Sequence, residues 1–339
     1  MKAIQIEKPE VLNIIEMEKP VITKEDNVLI KMVASGICGS DVGIYHGHNA
    51  AATYPRVIGH EIVGRVEEVG DEVTTLKVGD RVIIDQVVNC GTCYACKIGR
   101  GNVCGTLKVR GVHIDGGYRE YIAVPEKDCY LLPKDLSDVD AVMIEPTTIA
   151  MQSCARAELC EKDTLLLLGY GALGSTILKI ARLSKATIIV ADVVDEKLEE
   201  ARQSGADYTI NILSENIVEK TRELTDGYGP SVSIDAACTK DSLATLLEVT
   251  GNAGRVVTMG FSIDPTEVTQ FKITSKELDV RGSRLQNKKF GEAIQLIQEG
   301  KLDLKGTVSH TFPYLEAQKA FDFIDTKDAS IRKVVLTFE

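Results

Sequence analysis

The sequence predicts an α/β protein with two domains, and three observations carry that prediction. The chain has 339 residues, and because a domain averages roughly 150 residues, about two domains are expected. Up to residue 145, short valine and isoleucine runs are separated by turn residues, which is typical of β-strands. Beyond residue 162, apolar runs alternate with helical segments, which is typical of a doubly wound parallel sheet covered by helices on both faces.

Composition and charge exclude several classes of protein. Hydrophobic residues make up 44% and charged residues 26% of the chain, which excludes a disordered, collagen-like or small disulfide-rich protein. No apolar run approaches the roughly 20 residues of a membrane span, so no membrane partner is expected. A net charge of −11 repels phosphate backbones, and we therefore expect no nucleic acid partner.

The N-terminus and the nine cysteines bear on the cellular compartment. The chain begins MKAIQIEKPE, which meets charge at once and lacks the apolar core of a signal peptide. Four of the nine cysteines lie within fifteen residues, and such crowding without an export signal favours metal binding over disulfides. The sequence therefore predicts a cytoplasmic protein.

The first predicted domain consists of residues 1–146 and 288–339. Segments such as RVIGHEIVGRVEEVG and VGDRVIIDQVV predict strands of an irregular, partly closed antiparallel sheet. Near the C-terminus, FGEAIQLIQEGKLD and RKVVLTF lack the alternating rhythm of strands and helices, so we expect them to return to this domain.

The second predicted domain, residues 147–287, carries the alternating pattern. The apolar run Leu165–Leu168 precedes a glycine-rich turn and the helical segment STILKIARLSK. The run Ala186–Ala191 precedes the helical segment EKLEEARQSG, which Gly205 would terminate. SVSIDAA and GRVVTMG continue the same rhythm, which predicts a parallel sheet.

The glycine-rich turn has the spacing of a dinucleotide-binding motif. Gly169, Gly171 and Gly174 form a GxGxxG between a strand and a helix, the context in which this motif binds a pyrophosphate at the helix N-terminus. Asp192 ends the next apolar run, eighteen residues after Gly174, and its carboxylate would accept ribose hydroxyls and repel a 2′-phosphate. The motif therefore predicts a Rossmann domain that binds NAD; the alternative is a glycine turn that binds nothing.

The spacing of four cysteines predicts a structural zinc site in a lobe at about residues 88–106. Cys90, Cys93, Cys96 and Cys104 lie on one segment, and four thiolates can close a tetrahedron around zinc with no position left for substrate. The alternatives are buried free cysteines and an iron–sulfur cluster, which four cysteines can also hold.

A second, sparser set of residues has the chemistry of a catalytic zinc site. Cys38, His60, Glu61 and Glu145 offer a thiolate, an imidazole and carboxylates, which can hold one zinc and leave room for a water or an alcohol oxygen. No spacing rule joins these residues, and the alternative for His60 is an ordinary hydrogen-bonded histidine.

The motif Gly59-His60-Glu61-x2-Gly64-x5-Gly70-x2-Val73 resembles the signature of the zinc-containing medium-chain alcohol dehydrogenases. The element GICGSD, the four-cysteine lobe and the turn GYGALG follow in that family's order, so the resemblance covers the whole chain. YPRVIGHE, GVHIDGGY, MIEPTTIA and GSRLQNKKF are similar to segments of bacterial sugar-acid dehydrogenases in the sorbitol and galactitol dehydrogenase branch.

The resemblance implies a fold, an activity and two zinc ions with NAD as cofactors. The fold is a GroES-like β domain plus a Rossmann domain. The implied activity is hydride transfer to NAD from the carbon-5 hydroxyl of L-gulonate or L-galactonate, which would give a keto-acid. The alternatives are a polyol or L-threonine dehydrogenase on the same scaffold, and, in a different class, a non-catalytic dinucleotide-binding sensor.

The resemblance also implies roles for individual residues. Cys38 and His60 would bind the catalytic zinc with Glu61 and Glu145 as its acidic ligands, Ser40 would pass on the substrate's proton, and Asp41 would orient His60. Because both glutamates together would make the site anionic, we expect one of them to leave during turnover. The further cofactor candidates are Ala172, Leu173, Lys197, Cys238, Gly260 and Phe261.

Three features concern the substrate, the proton relay and the assembly. A sugar acid needs a cation to pair with its carboxylate, and Arg284 matches an arginine near substrate in the sorbitol branch. His48 and His113 are further candidates, and Lys288, Arg119 and Arg110 are alternatives.

Many relatives carry a histidine where this chain has Gly43, so the proton relay beyond Ser40 stays open. The alternatives for its next group are His46 or His48, the coenzyme ribose and water. The segment ELDVRGSR would be an edge strand, and we expect a homodimer or homotetramer.

Overall fold

The chain divides into two units at Pro146 and again at Gln286. In the computed structural model, residues 1–261, 263–328 and 330–338 are described. The first unit is Met1–Pro146 together with Asn287–Glu339, and the second is Thr147–Gln286. The second boundary lies one residue before the predicted one.

The first unit is built mainly of short strands. They are β1 (Lys2–Lys8), β2 (Val11–Glu16), β3 (Asn27–Ile37), β4 (Arg56–Val57), β5 (Glu61–Val69), β6 (Arg81–Ile84), β7 (Val87–Val88), β8 (Lys108–Val109), β9 (Tyr121–Pro125) and β10 (Cys129–Leu131), with β17 (His310–Pro313) and β18 (Val334–Thr337) near the C-terminus. Its helices are α1 (Gly39–Tyr45), α2 (Tyr94–Lys97), α3 (Asp138–Ala141), α10 (Phe290–Gln298) and α11 (Ala317–Asp325), and α4 (Ile144–Ala157) begins here.

Most strands of the first unit belong to one sheet with the order β10-β6-β5-β3-β18-β17, and β9 also pairs with β3. The pairings are antiparallel except between β17 and β18. The C-terminal strand β18 pairs with β3, so this part of the C-terminal segment lies in the sheet of the first unit. The pairing of β3 with β5 has register shifts between Leu29 and Ile30 and between Met32 and Ala34, and such irregularities bend a strand locally.

The pairing of β3 with β5 places functional residues side by side. Gly36 near the end of β3 faces Glu61, the first residue of β5. Cys38 follows β3 directly and caps α1, while His60 directly precedes β5. Residues that lie more than twenty positions apart in the sequence are thereby brought to one end of the sheet.

The second unit is a doubly wound parallel sheet. Its strands are β11 (Thr164–Leu168), β12 (Thr187–Asp192), β13 (Tyr208–Asn211), β14 (Val232–Asp235), β15 (Arg255–Thr258) and β16 (Asp279–Gly282), and its helices are α5 (Ala172–Ala181), α6 (Asp195–Gln203), α7 (Ile217–Glu223), α8 (Ser242–Val249) and α9 (Gln270–Thr274). The strand order is β13-β12-β11-β14-β15-β16, and every pairing is parallel. This is the order of a Rossmann sheet, with its reversal between β11 and β14.

The central strands of this sheet are buried on both faces, as their continuous apolar runs predict. Leu165, Leu166 and Leu167 are fully buried in β11, and Leu166 packs with Ile189 and Val256 in the core beside α8. Burial on both faces explains why these strands lack the alternating pattern of half-exposed ones. Among the helices of the described ranges, none combines the length and the apolar character that crossing a membrane requires.

Candidate functional site

The four cysteines of the predicted lobe are gathered around a common point. Their sulfur–sulfur distances are 3.5 Å for Cys104–Cys90, 3.6 Å for Cys93–Cys96, 3.8 Å for Cys93–Cys104 and 4.0 Å for Cys90–Cys96. Four sulfurs at 2.3 Å from a tetrahedral zinc would lie about 3.8 Å apart. The cluster therefore has the dimensions of a closed zinc site.

Backbone amides around the cluster favour thiolates. The amides of Thr92 and Cys93 donate to Cys90 Sγ at 3.4 and 3.3 Å, and the amide of Cys90 donates to Cys104 Sγ at 3.4 Å. Hydrogen bonds from Thr92 lower the pKa of Cys90 to about 5, whereas desolvation raises the pKa of Cys96 to about 12. Full ionisation of the four thiols therefore needs a cation, and the exposed Cys90 does not fit a cluster of buried free cysteines.

Cys38, His60 and Glu61 form the second cluster. Each offers a ligand atom that lies within 4.8 Å of the other two. His60 and Glu61 are buried, and Cys38 is half-buried. A thiolate, an imidazole and a carboxylate that leave a coordination position open are the donor set of a catalytic zinc site.

Asp41 fixes the position of the His60 ring. Its fully buried carboxylate accepts hydrogen bonds from the backbone amides of Cys38 at 3.0 Å and Gly59 at 3.2 Å, and lies 3.4 Å from His60 Nδ1. The other ring nitrogen, Nε2, is 3.3 Å from Ser40 Oγ. The Asp41 carboxylate thus holds the ring through Nδ1 and leaves Nε2 on the side of Ser40.

Burial and neighbouring charges shift the pKa values of Asp41 and His60 in opposite directions. Burial raises the pKa of Asp41, but the charge and hydrogen bond of His60 outweigh it and lower that pKa. Burial lowers the pKa of His60, but the charges of Asp41 and Cys38 raise it well above its ordinary value. A buried carboxylate beside a histidine ring nitrogen is the arrangement that orients metal-ligating histidines in zinc sites.

Two residues that the sequence did not single out complete this region. Tyr118 is fully buried, and its hydroxyl donates to the Gly36 carbonyl at 3.1 Å and to Asp41 Oδ2 at 3.3 Å. Lys333, just before β18, is also buried, and its Nζ contacts both carboxylate oxygens of Glu61. Neither carries a local sequence signal, because each reaches the site only through the pairing of distant strands.

Glu145 lies outside the group of three ligand atoms. It is buried at the start of α4, and Gln86 Nε2 donates a hydrogen bond to its Oε1. Burial raises the pKa of Glu145 to about 8, although the charge of His60 opposes the shift. The structure therefore brings together Cys38, His60 and Glu61 and holds Glu145 beside Gln86.

An unsatisfied polar atom at the second cluster supports metal binding. Glu61 Oε2 is buried and touches the Lys333 ammonium, but it has no partner in hydrogen-bond geometry in the described part of the chain. A buried polar atom without a partner is costly, so each such atom needs an explanation. A zinc ion among the three donors satisfies Glu61 and fits the residues that are present.

The glycine turn has the close contacts that a dinucleotide motif needs. Gly169 has φ +95, and a Cβ at Gly174 would lie 2.1 Å from the Gly169 carbonyl oxygen. A Cβ at Gly171, the N-cap of α5, would meet no described atom within 4 Å. Ala172 and Leu173 form the first turn of α5, so open space adjoins a helix N-terminus, which is where a pyrophosphate binds.

Asp192 ends β12 beside this turn. Its Oδ2 accepts a hydrogen bond from the Tyr170 amide at 2.6 Å, and its Oδ1 accepts from the amides of Val193 and Val194 at 2.7 and 3.1 Å. A carboxylate oxygen has two lone pairs, so Oδ2, which accepts one of these bonds, can accept a further bond from a ribose hydroxyl. The negative charge held here opposes a 2′-phosphate.

The remaining coenzyme candidates also lie in the second unit. Cys238 follows β14 and Gly260 follows β15, and a Cβ at Gly260 would lie 3.6 Å from Cys238 Cβ. These two loops therefore meet at the carboxyl edge of the sheet, where such sheets bind ligands. Phe261 is 72% exposed beside them, and Lys197 is exposed on α6.

The substrate candidates have different surroundings. Arg284 is half-buried, with its guanidinium carbon 5.6 Å from the centre of the Phe261 ring. His113 Nδ1 accepts a hydrogen bond from the Val109 amide at 3.1 Å, and His48 is exposed. The alternative Arg110 is buried and paired with Asp128 at 2.6 Å, so its role is structural.

Comparisons with known proteins agree with both sites. Residues 24–134 match the family model of the alcohol dehydrogenase GroES-like domain. Residues 172–299 match that of the zinc-binding dehydrogenases. The first match contains Cys38, His60 and the four-cysteine lobe, and the second contains most of the Rossmann sheet.

Whole-chain relatives carry the same architecture. Starvation-sensing protein RspB of Escherichia coli K12 is 43% identical, with 100% of this chain and 99% of RspB covered. Sorbitol dehydrogenase of Halalkalibacterium halodurans is 32% identical, with 94% of each chain covered. A crystal structure of an E. coli CFT073 alcohol dehydrogenase, rspB, described as complexed with NADH, has a TM-score of 0.93 and 42% identity and covers 100% of this chain and 99% of its own.

One assignment follows from four findings: similarity along the full length, the two family models, the metal-binding clusters and the dinucleotide turn. The GroES-like and Rossmann domains predicted from the resemblance are confirmed. The chain belongs to the zinc-type medium-chain alcohol dehydrogenase family, and it is an oxidoreductase that uses zinc and NAD.

Proposed function

We propose that this enzyme oxidises the carbon-5 hydroxyl of a sugar acid, L-gulonate or L-galactonate, to a keto-acid with NAD as the acceptor. The observation that carries the reaction class is the meeting of Cys38, His60 and Glu61 in one cluster of donor atoms. The observation that favours a carboxylate-bearing substrate is the half-buried Arg284 beside Phe261. Its planar guanidinium can pair with a carboxylate through two hydrogen bonds.

The chain's own residues hold and orient the reacting groups. When bound, zinc polarises the substrate hydroxyl and NAD accepts the hydride. Cys38, His60 and Glu61 are the proposed zinc ligands, and Asp41 fixes His60 through Nδ1. Glu145 is proposed as an acidic ligand that binds in exchange with Glu61, since two carboxylates and a thiolate would give the site a net negative charge. Cys90, Cys93, Cys96 and Cys104 hold the structural zinc.

Coenzyme binding is proposed to use the turn and strand ends of the second unit. Gly169, Gly171 and Gly174 make room for the pyrophosphate, and Asp192 receives the ribose hydroxyls. The first-turn residues and the loops after the later strands supply the remaining contacts: Ala172, Leu173, Lys197, Cys238, Gly260 and Phe261.

Ser40 is the proposed first acceptor of the substrate's proton. Its hydroxyl lies 3.3 Å from His60 Nε2, in the region of the donor cluster. His46 is held by Glu10 at 2.6 Å and Asp325 at 3.0 Å, so it is not free to receive a proton from Ser40. We therefore infer that the relay continues through the coenzyme ribose, the exposed His48 or water.

A matched pair of variants tests the role of Arg284. Arg284→Ala removes one charged, hydrogen-bonded contact to a carboxylate, so KM for a sugar acid should rise by more than about tenfold, while KM for a neutral polyol barely changes. Arg281→Ala is the control, because Arg281 pairs with Glu158 and Asp279 and should leave both KM values unchanged. Equal effects of Arg284→Ala on both substrates would make its role structural.

A substrate panel tests the function as a whole. Hexonates, polyols and L-threonine are offered with NAD, and NADH absorbance is followed. Preferred oxidation of L-gulonate or L-galactonate supports the proposal, whereas preferred oxidation of a polyol or of L-threonine replaces it. The sensor alternative predicts no turnover and about one zinc per chain, whereas the enzyme predicts about two.

We also propose a homodimer or homotetramer in the cytoplasm. Strand β16 is the edge of its sheet, and Val280 on it is 39% exposed. An uncovered edge strand is a template for pairing with a second copy. None of the nine cysteines, all of them described, is in a disulfide, which suits a reducing compartment. A monomer in light scattering at micromolar concentration would contradict the assembly.

A further inference from the structure

We propose that Lys333 is a positioning residue that competes with the catalytic zinc for the Glu61 carboxylate. The inference rests on the proposed ligand set, because it requires Glu61 to bind zinc. In this arrangement Glu61 has two partners, the metal and the Lys333 ammonium. Lys333 lowers the occupancy of Glu61 on zinc and thereby keeps a coordination position available to substrate.

The strand order brings Lys333 to the cluster. Glu61 pairs with Gly36 across β5 and β3, and Ile37 pairs with Val334 across β3 and β18. Lys333, immediately before Val334, therefore reaches Glu61 over β3 although the two residues are 272 positions apart. The contact is a consequence of the sheet and not of local sequence.

Gly36 leaves the space in which this pair forms. A Cβ at position 36 would lie 1.8 Å from Glu61 Oε2 and 2.8 Å from Lys333 Cε. Any side chain here would displace the carboxylate, the lysine stem or both. The middle strand thus carries no side chain at the point where the two charged groups meet.

The pair has features that a purely structural ion pair does not need. Lys333 is 6% exposed and Glu61 is 1% exposed, so each charge depends on a partner. The Lys333 Nζ donates to Oε1, yet Oε2, which the ammonium also touches, has no partner in hydrogen-bond geometry among the described residues. That oxygen belongs to a carboxylate whose ligand atom lies within 4.8 Å of those of Cys38 and His60. The carboxylate is therefore shared between an ammonium and a set of metal donors.

The net charge at the zinc ligands explains how this competition favours catalysis. Cys38 and Glu61 as anions would cancel both positive charges of zinc, which weakens zinc as a Lewis acid. When Lys333 holds the carboxylate, the metal keeps one net positive charge beside Cys38. Lys333 thus favours the state in which the metal polarises a substrate hydroxyl most strongly.

The test is the zinc affinity of the catalytic site in Lys333→Met. Catalytic zinc is removed from the full-length enzyme with a chelator while the four-cysteine site stays filled, and the dissociation constant for added zinc is measured by chelator competition. The variant should bind zinc at least tenfold more tightly than the wild type, because Glu61 has lost its other partner. Its kcat should fall, and zinc should raise its Tm by more than it raises that of the wild type.

Three further variants make the result specific. In the Glu61→Gln background, Lys333→Met should change the zinc affinity less than threefold, because no carboxylate remains to compete for. Lys276→Met is the matched control: the Lys276 Nζ donates to the carbonyls of Leu247, Glu248 and Thr250 in the second unit, so zinc affinity should not change. If Lys333→Met does not fold, Lys333→Arg replaces it, and its bidentate grip should weaken zinc binding.

Each outcome decides between defined alternatives. Unchanged or weaker zinc binding in Lys333→Met, or tighter binding in Lys333→Arg, overturns the competition between lysine and metal. A Tm loss in Lys333→Met that is equal with and without zinc would show a structural ion pair and would also overturn it. If the wild type itself takes up no second zinc, the proposed function fails, whatever the Lys333 variants do.

Discussion

Replacing Asp41 by asparagine perturbs the support of the catalytic cluster while changing the volume of the side chain little. Asp41 Oδ2 accepts hydrogen bonds from the Cys38 amide at 3.0 Å and the Tyr118 hydroxyl at 3.3 Å. Asp41 Oδ1 accepts from the Gly59 amide at 3.2 Å and faces His60 Nδ1 at 3.4 Å. In the asparagine an NH2 group replaces one of these two oxygens. On either side, two groups that faced an acceptor in the wild type then face a donor.

The size of the effect follows from the two hydrogen bonds that the asparagine cannot accept. A hydrogen bond to a charged group contributes about 1.5–3 kcal/mol, so the loss of two should lower the free energy of unfolding of the first unit by about 3–6 kcal/mol. Loss of the carboxylate that orients a metal-ligating histidine should also weaken zinc binding by about 10–100-fold. The chain has no tryptophan, so unfolding is followed by far-UV circular dichroism and zinc affinity by chelator competition.

A matched variant separates stability from metal binding. Asp163 is also buried and paired, accepting hydrogen bonds from the Cys160 amide at 2.9 Å and the Ser231 hydroxyl at 2.8 Å, but it lies in the second unit. Asp163→Asn should lower stability and leave zinc affinity unchanged. If Asp41→Asn destabilises the enzyme but changes zinc affinity less than threefold, the reasoning that Asp41 orients His60 as a ligand is refuted.

Three other predictions use different measurements. Cys104→Ser should reduce zinc content from about two to one per chain and lower the Tm, because it opens a closed four-thiolate site; two retained zinc ions would contradict this. In Gly174→Ala the added Cβ would clash with the Gly169 carbonyl oxygen, so the Tm should fall. In Gly171→Ala the Cβ enters open space, so the Tm should stay unchanged while NADH binding weakens at least tenfold. Equal Tm losses in the two variants would refute the assignment of this turn to coenzyme binding. The hydrogen bonds that His46 donates to the carboxylates of Glu10 and Asp325 raise its pKa. Its contribution to stability is therefore full below the ordinary imidazole pKa of about 6.5 and is lost as pH rises through the raised value. The Tm of His46→Gln should depend less on pH over that range than the Tm of the wild type, and an unchanged profile would exclude this contribution.

Features encoded in short segments could be predicted from the sequence. The four cysteines lie on one segment of fifteen residues, and their spacing allows a tetrahedron without knowledge of the rest of the fold. The turn from Gly169 to Gly174 connects one strand to one helix, and its close contact between the two end glycines is local. The parallel sheet was equally accessible, because strands buried on both faces are continuously apolar.

Features that depend on strand pairing could not be predicted from spacing. Cys38 and His60 lie close together because β3 pairs with β5 so that Gly36 faces Glu61. In the sequence, only the family resemblance indicated that the two residues act together. Lys333 and Tyr118 had no signal at all, since a lysine before a C-terminal strand and a tyrosine after two glycines are ordinary residues. Glu145 was expected with the ligands, but its place beside Gln86 depends on how α4 begins.

Anomalous diffraction at the zinc absorption edge, from crystals grown with zinc and NADH, tests the central claim most directly. We predict two peaks per chain: one among the sulfurs of Cys90, Cys93, Cys96 and Cys104, and one among Cys38 Sγ, His60 Nε2 and Glu61. A single peak in the four-cysteine lobe, with NADH bound and the second cluster empty of metal, would contradict it.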